Sequence, residues 1–280
     1  MTETQSEDAV PRGTLMAGKR GLIMGVANNR SIAWAIAQAV AAQGGEVAFT
    51  YQGEALEKRV RPLAQSIGSD FLVPCDVSDD AAIDTAFAEL AKKWPKIDFL
   101  VHAIGFADKN FLRGRYVDTP RDVFLQALDI SCFSFTAVAQ RAAAMMPNGG
   151  SILTLTYLGS ERWMPHYNVM GVAKSALEAS VRYMAADLGT EQIRVNSISA
   201  GPIKTLAASG IGDFSYILKW NKYNAPLRRN VELEEVGGAG LYLLSDLSKG
   251  VTGENHHVDC GYNIVGMKHP DAPDINVSGE

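Results

Sequence analysis

The sequence predicts an α/β fold: a single domain built on a doubly wound parallel sheet of about seven strands, with helices on both faces. Three observations predict it. Short apolar runs recur at residues 21–24, 46–51, 71–74, 97–102, 151–156, 195–199 and 255–258. The stretches between them are amphipathic and long enough to be crossover helices, an alternation that calls for a parallel sheet covered on both faces. Across the 280 residues no internal repeat, low-complexity tract or linker divides the chain.

Residues 1–17 are polar and aperiodic. They are expected to form a disordered or loosely packed leader, followed by one domain at 18–268 and a short tail at 269–280. A formal net charge of −5 gives no basic footprint, which argues against a nucleic-acid partner. No uninterrupted apolar run approaches membrane-spanning length, and the N-terminus lacks the order of a signal peptide, so a cytoplasmic protein without membrane attachment is expected. Cys75, Cys132 and Cys260 are scattered as free thiols would be, and neither they nor the five histidines show metal-ligand spacing.

The first strand leads into Gly25-Val-Ala-Asn-Asn-Arg-Ser31-Ile32-Ala33. Gly25 allows a tight exit from the strand, Ser31 is a good N-cap, and small Ala33 permits close helix–strand packing. A helix N-terminus placed there is a pyrophosphate site, although the segment lacks the G-x-G-x-x-G pattern and reads almost as well as a plain connection. The second strand ends at Tyr51-Gln52-Gly53-Glu54, where this architecture sorts NAD from NADP. Gln52 can bond a ribose hydroxyl and Glu54 would repel a 2′-phosphate, so NADH is favoured over NADPH. Asp76 closes the third strand, either as acceptor for an adenine amino group or as N-cap of the helix that begins near Asp80. The fourth strand runs into Ile104-Gly105, a glycine at the strand edge where ligands of open α/β sheets bind.

The fifth strand leads to Tyr157, and from Tyr167 the pattern turns helical, with Val169, Met170, Ala173, Leu177, Val181 and Met184 at three- and four-residue steps. On such a helix Tyr167 and Lys174 lie almost two turns apart on one face, about 10 Å along the axis. A protonated phenol with an ammonium nearby suits a reaction that develops negative charge on a carbonyl oxygen. An ordinary half-buried Tyr and a solvated Lys would be the plain alternative.

These residues together resemble the short-chain dehydrogenase/reductase superfamily, and within it the bacterial NADH-dependent enoyl-acyl carrier protein reductases, from about Leu15 to Met267. Gly25 with Ser31-Ile32-Ala33, Cys75-Asp76-Val77, Ile104-Gly105-Phe106-Ala107 and the run Arg194 to Gly210 carry the resemblance. Its strongest mark is Tyr157 followed by Tyr167 and Lys174, because this family spaces the Tyr and Lys seven apart where most of the superfamily has four. The chain departs from the family's common residues at Ala103 and Cys260.

The resemblance implies a Rossmann-like dinucleotide fold and NADH-dependent reduction of a trans-2-enoyl thioester on acyl carrier protein. Tyr157, Tyr167 and Lys174 would be catalytic. Gly25, Ser31, Ile32, Gln52, Asp76, Val77, Ile104, Lys174, Ile203, Lys204, Thr205, Leu206 and Ala207 would hold NADH/NAD. Residues from about 204 to 225 read as a helical substrate lid with Gly210 and Gly212 as hinges; Ala107, Tyr157, Met170, Ile211 and Phe214 would face the substrate. The apolar run 261–267 is expected to be buried between subunits, and the resemblance implies a homotetramer. Two rivals stand beside this reading. A ketone or 3-oxoacyl reductase of the same superfamily would need a catalytic Ser on the fifth strand, where Thr154, Thr156 and Ser160 are the hydroxyls on offer and Tyr157 takes the telling place. A non-catalytic dinucleotide-sensing protein would be expected to have lost the Tyr or the Lys.

Overall fold

The computed structural model of the protein describes residues 11–275. Seven strands, β1 (Arg20–Met24), β2 (Glu46–Tyr51), β3 (Leu72–Pro74), β4 (Phe99–His102), β5 (Gly150–Thr156), β6 (Ile193–Ala200) and β7 (Asn255–Val258), form one sheet in the order β3-β2-β1-β4-β5-β6-β7. Every neighbouring pair is parallel. The strand order reverses between β1 and β4, so a crevice opens there at the C-terminal ends of the strands.

Strands buried on both faces explain why continuous apolar runs located them so well. Successive side chains point to opposite faces. Leu22, Leu100 and Ile152 join one core, with Phe87 and Leu90 of α3 (Asp80–Lys93), Phe135 and Val138 of α5 (Ser134–Ala144), and Leu177 and Val181 of α6 (Asn168–Leu188). Ile23, Val101 and Leu153, each one residue further on, join the other. There they meet Ile36 and Val40 of α1 (Ile32–Ala42), Val60 of α2 (Gly53–Ser66), and Val236 and Leu243 of α8 (Leu233–Leu244). Burial of each such side chain contributes about 1.5–3 kcal/mol. Helix α7 (Phe214–Asn224) lies after β6, at the strands' C-terminal edge.

One sequence expectation needs correction. Residues 11–17 are not loosely packed: Met16 is buried in the core beside α1, its amide donates to Gln43 O at 2.9 Å, and Gly13 N donates to Ala42 O at 3.0 Å. One apolar side chain in a polar stretch was enough to anchor it, a signal too sparse for periodicity to register. Residues 1–10 of the expected leader lie outside the described residues. In the tail, His269 N donates to Asn224 Oδ1 at 2.8 Å and Ala272 is buried, so residues 269–272 pack on the domain; residues 276–280 lie outside the described range.

Among the described residues one helical stretch, 121–144, is long and apolar enough by length and composition to cross a membrane. It comprises α4 (Arg121–Leu128), a π-helical turn at Asp129–Phe133 and α5, and Phe135, Val138 and Ala142 from it lie in the core.

Candidate active site

The crevice edge gathers the residues expected to hold a dinucleotide. Gly25 adopts φ +94°, and a Cβ there would lie 2.1 Å from the Ala103 carbonyl oxygen, so both backbone angle and space demand glycine. Ser31 is the N-cap of α1 by position, but its hydroxyl does not cap the helix. Instead Ser31 Oγ accepts from Ala27 N at 3.0 Å and Asn28 N at 3.1 Å, bracing the turn that leads in. Its hydroxyl is thus committed inward, and the amides it leaves for a phosphate are those of the helix start itself. Ile32 packs against the core beneath.

Gln52 and Asp76, singled out for different parts of an adenosine, meet each other: Gln52 Nε2 donates to Asp76 Oδ2 at 2.8 Å. Asp76 also accepts from the Ser78 hydroxyl at 2.7 Å and the Ser78 amide at 3.0 Å, which hold its carboxyl below the usual range. It does not cap α3. Asp79 does, accepting from Ala81 N at 2.9 Å. Gln52, Gly53, Cys75, Asp76 and Asp79 line one side of an open pocket of about 530 Å3. Val77 is buried in the core, so only its main chain can serve a ligand. Ile104 is partly buried against that core.

At the far side of the crevice stands Tyr167, which is the N-cap of α6 and not its first turn. The residues flanking it are strained: His166 has φ +58° and Asn168 φ +28°, left-handed conformations that cost a few kcal/mol unless held. They are held. Asn168 Nδ2 lies 3.2–3.3 Å from the carbonyls of Phe111, Arg113 and Gly114. His166 Nε2 sits 2.9 Å from the carboxylate of Asp213, the N-cap of α7. Strain that is over-determined by its surroundings clusters at functional positions.

The Tyr167 ring is buried and lies edge-to-face with Tyr157, centroids 5.1 Å apart at 71°. Its other contact is with backbone. A Cβ on Gly159 would sit 2.4 Å from Tyr167 Cδ1, so the bare Gly159 Cα forms the floor under the ring. We expect Gly159→Ala to displace the phenol and lower kcat at least tenfold, by the cost of misplacing a reacting group. A steady-state assay checks this; unchanged kcat would remove Gly159 from the site.

Lys174 is buried on α6, and its Nζ donates to Leu155 O at 2.9 Å. The amine lies under the crevice glycine, 3.4 Å from where a Cβ on Gly105 would stand. Burial lowers its pKa to about 8, opposed by the Cys132 and Glu178 side chains. Burial pushes the Tyr167 phenol the other way, well above its ordinary value, with help from Tyr157 and the Glu178 carboxylate. Tyr167 therefore stays protonated as a donor, as its ordinary pKa led the sequence to suggest, with burial adding to the effect. Tyr157 is likewise raised by burial, then by Tyr262 and Asp259.

Several hydroxyls and one imidazole complete the corner. His102 is fully buried between Ser134 Oγ at 2.9 Å and Thr154 Oγ1 at 3.3 Å, and burial drives its pKa down to about 3, so it is neutral. Thr154 Oγ1 donates to His102 O at 3.0 Å, and Thr156 Oγ1 to Glu178 Oε1 at 2.6 Å. Ser160 Oγ also reaches Glu178 Oε1. Ser131, in the π-helical turn, brackets Phe106 by accepting from its amide and donating to its carbonyl, both at 2.8 Å, and so fixes the Gly105 loop. Ser131, Gly159 and Glu178 were not singled out in the sequence, because each acts through partners 18 or more residues away or through the lack of a side chain.

The family description "Enoyl-(Acyl carrier protein) reductase" matches residues 25–263. The chain belongs to the enoyl-(acyl carrier protein) reductase family. It is 69% identical to an enoyl-[acyl-carrier-protein] reductase [NADH] of Rhizobium meliloti, over 94% of this chain and 97% of that one. It is 54% identical to the corresponding reductase of Bacillus cereus, over 90% of this chain and 99% of that one. Among solved structures, a reductase from Anaplasma phagocytophilum in complex with NAD superposes with a TM-score of 0.90 at 60% identity, covering 95% of this chain and 100% of that one.

In this member of the reductase family the chain leaves β6 at Gly201. Thr205 Oγ1 accepts from Ala208 N at 3.1 Å and Thr205 N donates to Ile203 O at 2.8 Å, making a tight turn before the 3₁₀ turn at Ala207–Gly210. Ile203 packs on the core, while Lys204 and Leu206 are exposed. Ala107 and Met170 meet around Leu112, Ala127 and Val169. A separate aromatic cavity of about 240 Å3 opens beside Tyr157, lined by Trp163, Tyr216, Ile217, Trp220 and Tyr262. From α7, Tyr216, Ile217 and Trp220 line this cavity. The Tyr216–Trp220 pair at four-residue spacing was the available signal.

Proposed function

We propose that the protein reduces trans-2-enoyl thioesters carried on acyl carrier protein to saturated acyl thioesters with NADH, as a step of fatty-acid elongation. The observation that carries this is a buried, protonated Tyr167 braced by Tyr157 and Gly159 on the crevice edge where the Lys174 ammonium ends. The residues fit a dinucleotide. The Gly25 turn leaves no room for a side chain, the start of α1 faces the crevice, and the Gln52–Asp76 pair stands beside an open pocket. An ammonium has three donors, and Leu155 O takes one, which leaves two for ribose hydroxyls. Relatives named for NADH support the same cofactor.

Bound NADH supplies the hydride, delivered to C3 of the enoyl thioester. The negative charge then gathers on the thioester oxygen, where the Tyr167 O–H donates a hydrogen bond to it, and a proton drawn from solvent adds at C2 to give the saturated thioester. Lys174 holds the nicotinamide ribose, and Tyr157 orients the thioester. The main chain of Ile203, Lys204, Thr205, Leu206 and Ala207 closes over the cofactor, with Ile211 and Phe214 following as the lid. The 240 Å3 aromatic cavity beside Tyr157 provides apolar room for an acyl chain. Asp213 of the lid, paired with His166 next to Tyr167, couples lid position to the catalytic phenol.

The 3-oxoacyl reductase alternative finds no free hydroxyl: Thr154, Thr156 and Ser160 are all committed to internal partners. The test follows NADH absorbance with a trans-2-enoyl thioester, a 3-oxoacyl thioester and NADPH as parallel arms. Turnover confined to the enoyl arm with NADH supports the reading, and preferential turnover of the 3-oxoacyl arm overturns it. We place the enzyme in the cytoplasm as a homotetramer. Ile264 and Met267 are 74% and 86% exposed on the single chain, an apolar surface that a subunit contact would cover. Light scattering is expected to give four chains per particle, and Ile264→Asp with Met267→Asp to give smaller ones.

A further inference from the structure

We propose that Glu178 is a positioning residue of this site: its buried carboxylate staples the Tyr157 turn to α6 and supplies the counter-charge for Lys174. This rests on the proposed roles of Tyr157, Tyr167 and Lys174 and extends them.

Glu178 is only 7% exposed, and a carboxylate so far from water is costly unless donors or a cation meet it. Two hydroxyl donors are present. Thr156 at the end of β5 donates to Glu178 Oε1 at 2.6 Å, and Ser160, in the turn Leu158–Ser160, reaches the same oxygen. Ser160 has one proton and two acceptors in range, the Tyr157 carbonyl at 2.8 Å and the carboxylate, of which the carboxylate is the stronger. On the other side of the turn, the Ser175 hydroxyl of α6 faces the Ser160 carbonyl. Both ends of the segment 156–160 are thus tied to α6. Between them lie Tyr157 and Gly159, the edge partner and the floor of the Tyr167 ring. Releasing Ser160 from Glu178 moves the surfaces that aim the phenol.

The second role is electrostatic. Glu178 follows Lys174 by four residues on α6, so the two side chains share a face of the helix. The groups around this pair are the Tyr167 phenol and the Thr156 and Ser160 hydroxyls on the Glu178 side, and the Cys132 thiol, the neutral His102 and the Leu155 carbonyl on the Lys174 side. The Cys132 side chain, and after it Glu178, oppose the cost of burying the ammonium. Removing the Glu178 charge lowers the pH at which Lys174 deprotonates.

The test uses the full-length enzyme and Glu178→Gln, which keeps the size and can still accept both hydroxyls but carries no charge. The pH dependence is measured for the NADH dissociation constant and for kcat/KM with a trans-2-enoyl thioester. In the parent both should weaken as pH rises through about 8, where Lys174 loses its charge. In Glu178→Gln that limb is expected to move down by roughly one pH unit, with Glu178→Asp restoring it. Ser160→Ala, which keeps the charge and cuts the staple, is expected to raise KM for the thioester several-fold and leave the limb in place. A Glu178→Gln profile that superimposes on the parent's, or a parent profile flat across the alkaline range, overturns the proposal. Should the parent fail to turn over enoyl thioesters, the proposed reaction falls, while the NADH-binding arm still reads the role of Glu178.

Discussion

Tyr167→Phe is expected to lower kcat with trans-2-enoyl thioesters by about 10²–10³, the effect of deleting one donor aimed at a developing oxyanion. The ring of Phe fills the slot between Tyr157 and the Gly159 floor as the phenol's does, so the fold and the NADH dissociation constant should stay as they are. The loss should also be independent of pH through neutrality. Burial holds the Tyr167 phenol above its ordinary value, so no phenolate forms in the working range and none is lost on substitution. Tyr157→Phe should give a smaller loss, concentrated in KM, because its hydroxyl orients the thioester and does not meet the new charge. Steady-state kinetics of the two variants against the parent check both statements, and a Tyr167→Phe enzyme with full turnover would remove the phenol from the chemistry.

Lys174→Met should act on the other half of the site. A buried hydrogen bond from a charged donor contributes about 1.5–3 kcal/mol, so losing the ribose contact should weaken NADH binding about 10- to 100-fold. The pH dependence has a definite sign. Burial lowers the Lys174 pKa to about 8, so the ammonium is complete below that value and fades above it. Cofactor affinity in the parent should therefore be full in mild acid and fall as pH rises through about 8, while Lys174→Met should be weak and flat over the same range. The variant should melt below the parent, because removing the ammonium leaves the buried Glu178 carboxylate without the charge that faces it. Titrations by NADH fluorescence and a thermal scan separate these outcomes.

The sheet was readable in the sequence because parallel strands buried on both faces must be continuous apolar runs. All seven appear where those runs lie, with ends displaced by one or two residues, as at β4, which begins at Phe99 and not at 97. Met16 escaped notice because a single buried side chain has no period. At the site, residue types with chemistry of their own were legible, and the structure sets Gln52 against Asp76, Tyr167 against Tyr157 and Lys174 beside Gly105. Their partnerships were not. That Gln52 bonds Asp76, that Ser31 braces its own turn, and that Asp79 caps α3 depend on side-chain directions that only the folded backbone fixes. Gly159 and Glu178 were hidden for the same reason. One works by lacking a Cβ against a ring eight residues later, and the other by joining a strand end to a helix.

The most direct measurement of the central claim is a crystal structure of the enzyme with NAD and a trans-2-enoyl thioester bound. The account predicts the Tyr167 hydroxyl within about 3 Å of the thioester oxygen, with the Lys174 amine on the nicotinamide ribose. A thioester oxygen bonded to Tyr157 alone, with the Tyr167 hydroxyl turned away from it, would contradict the account.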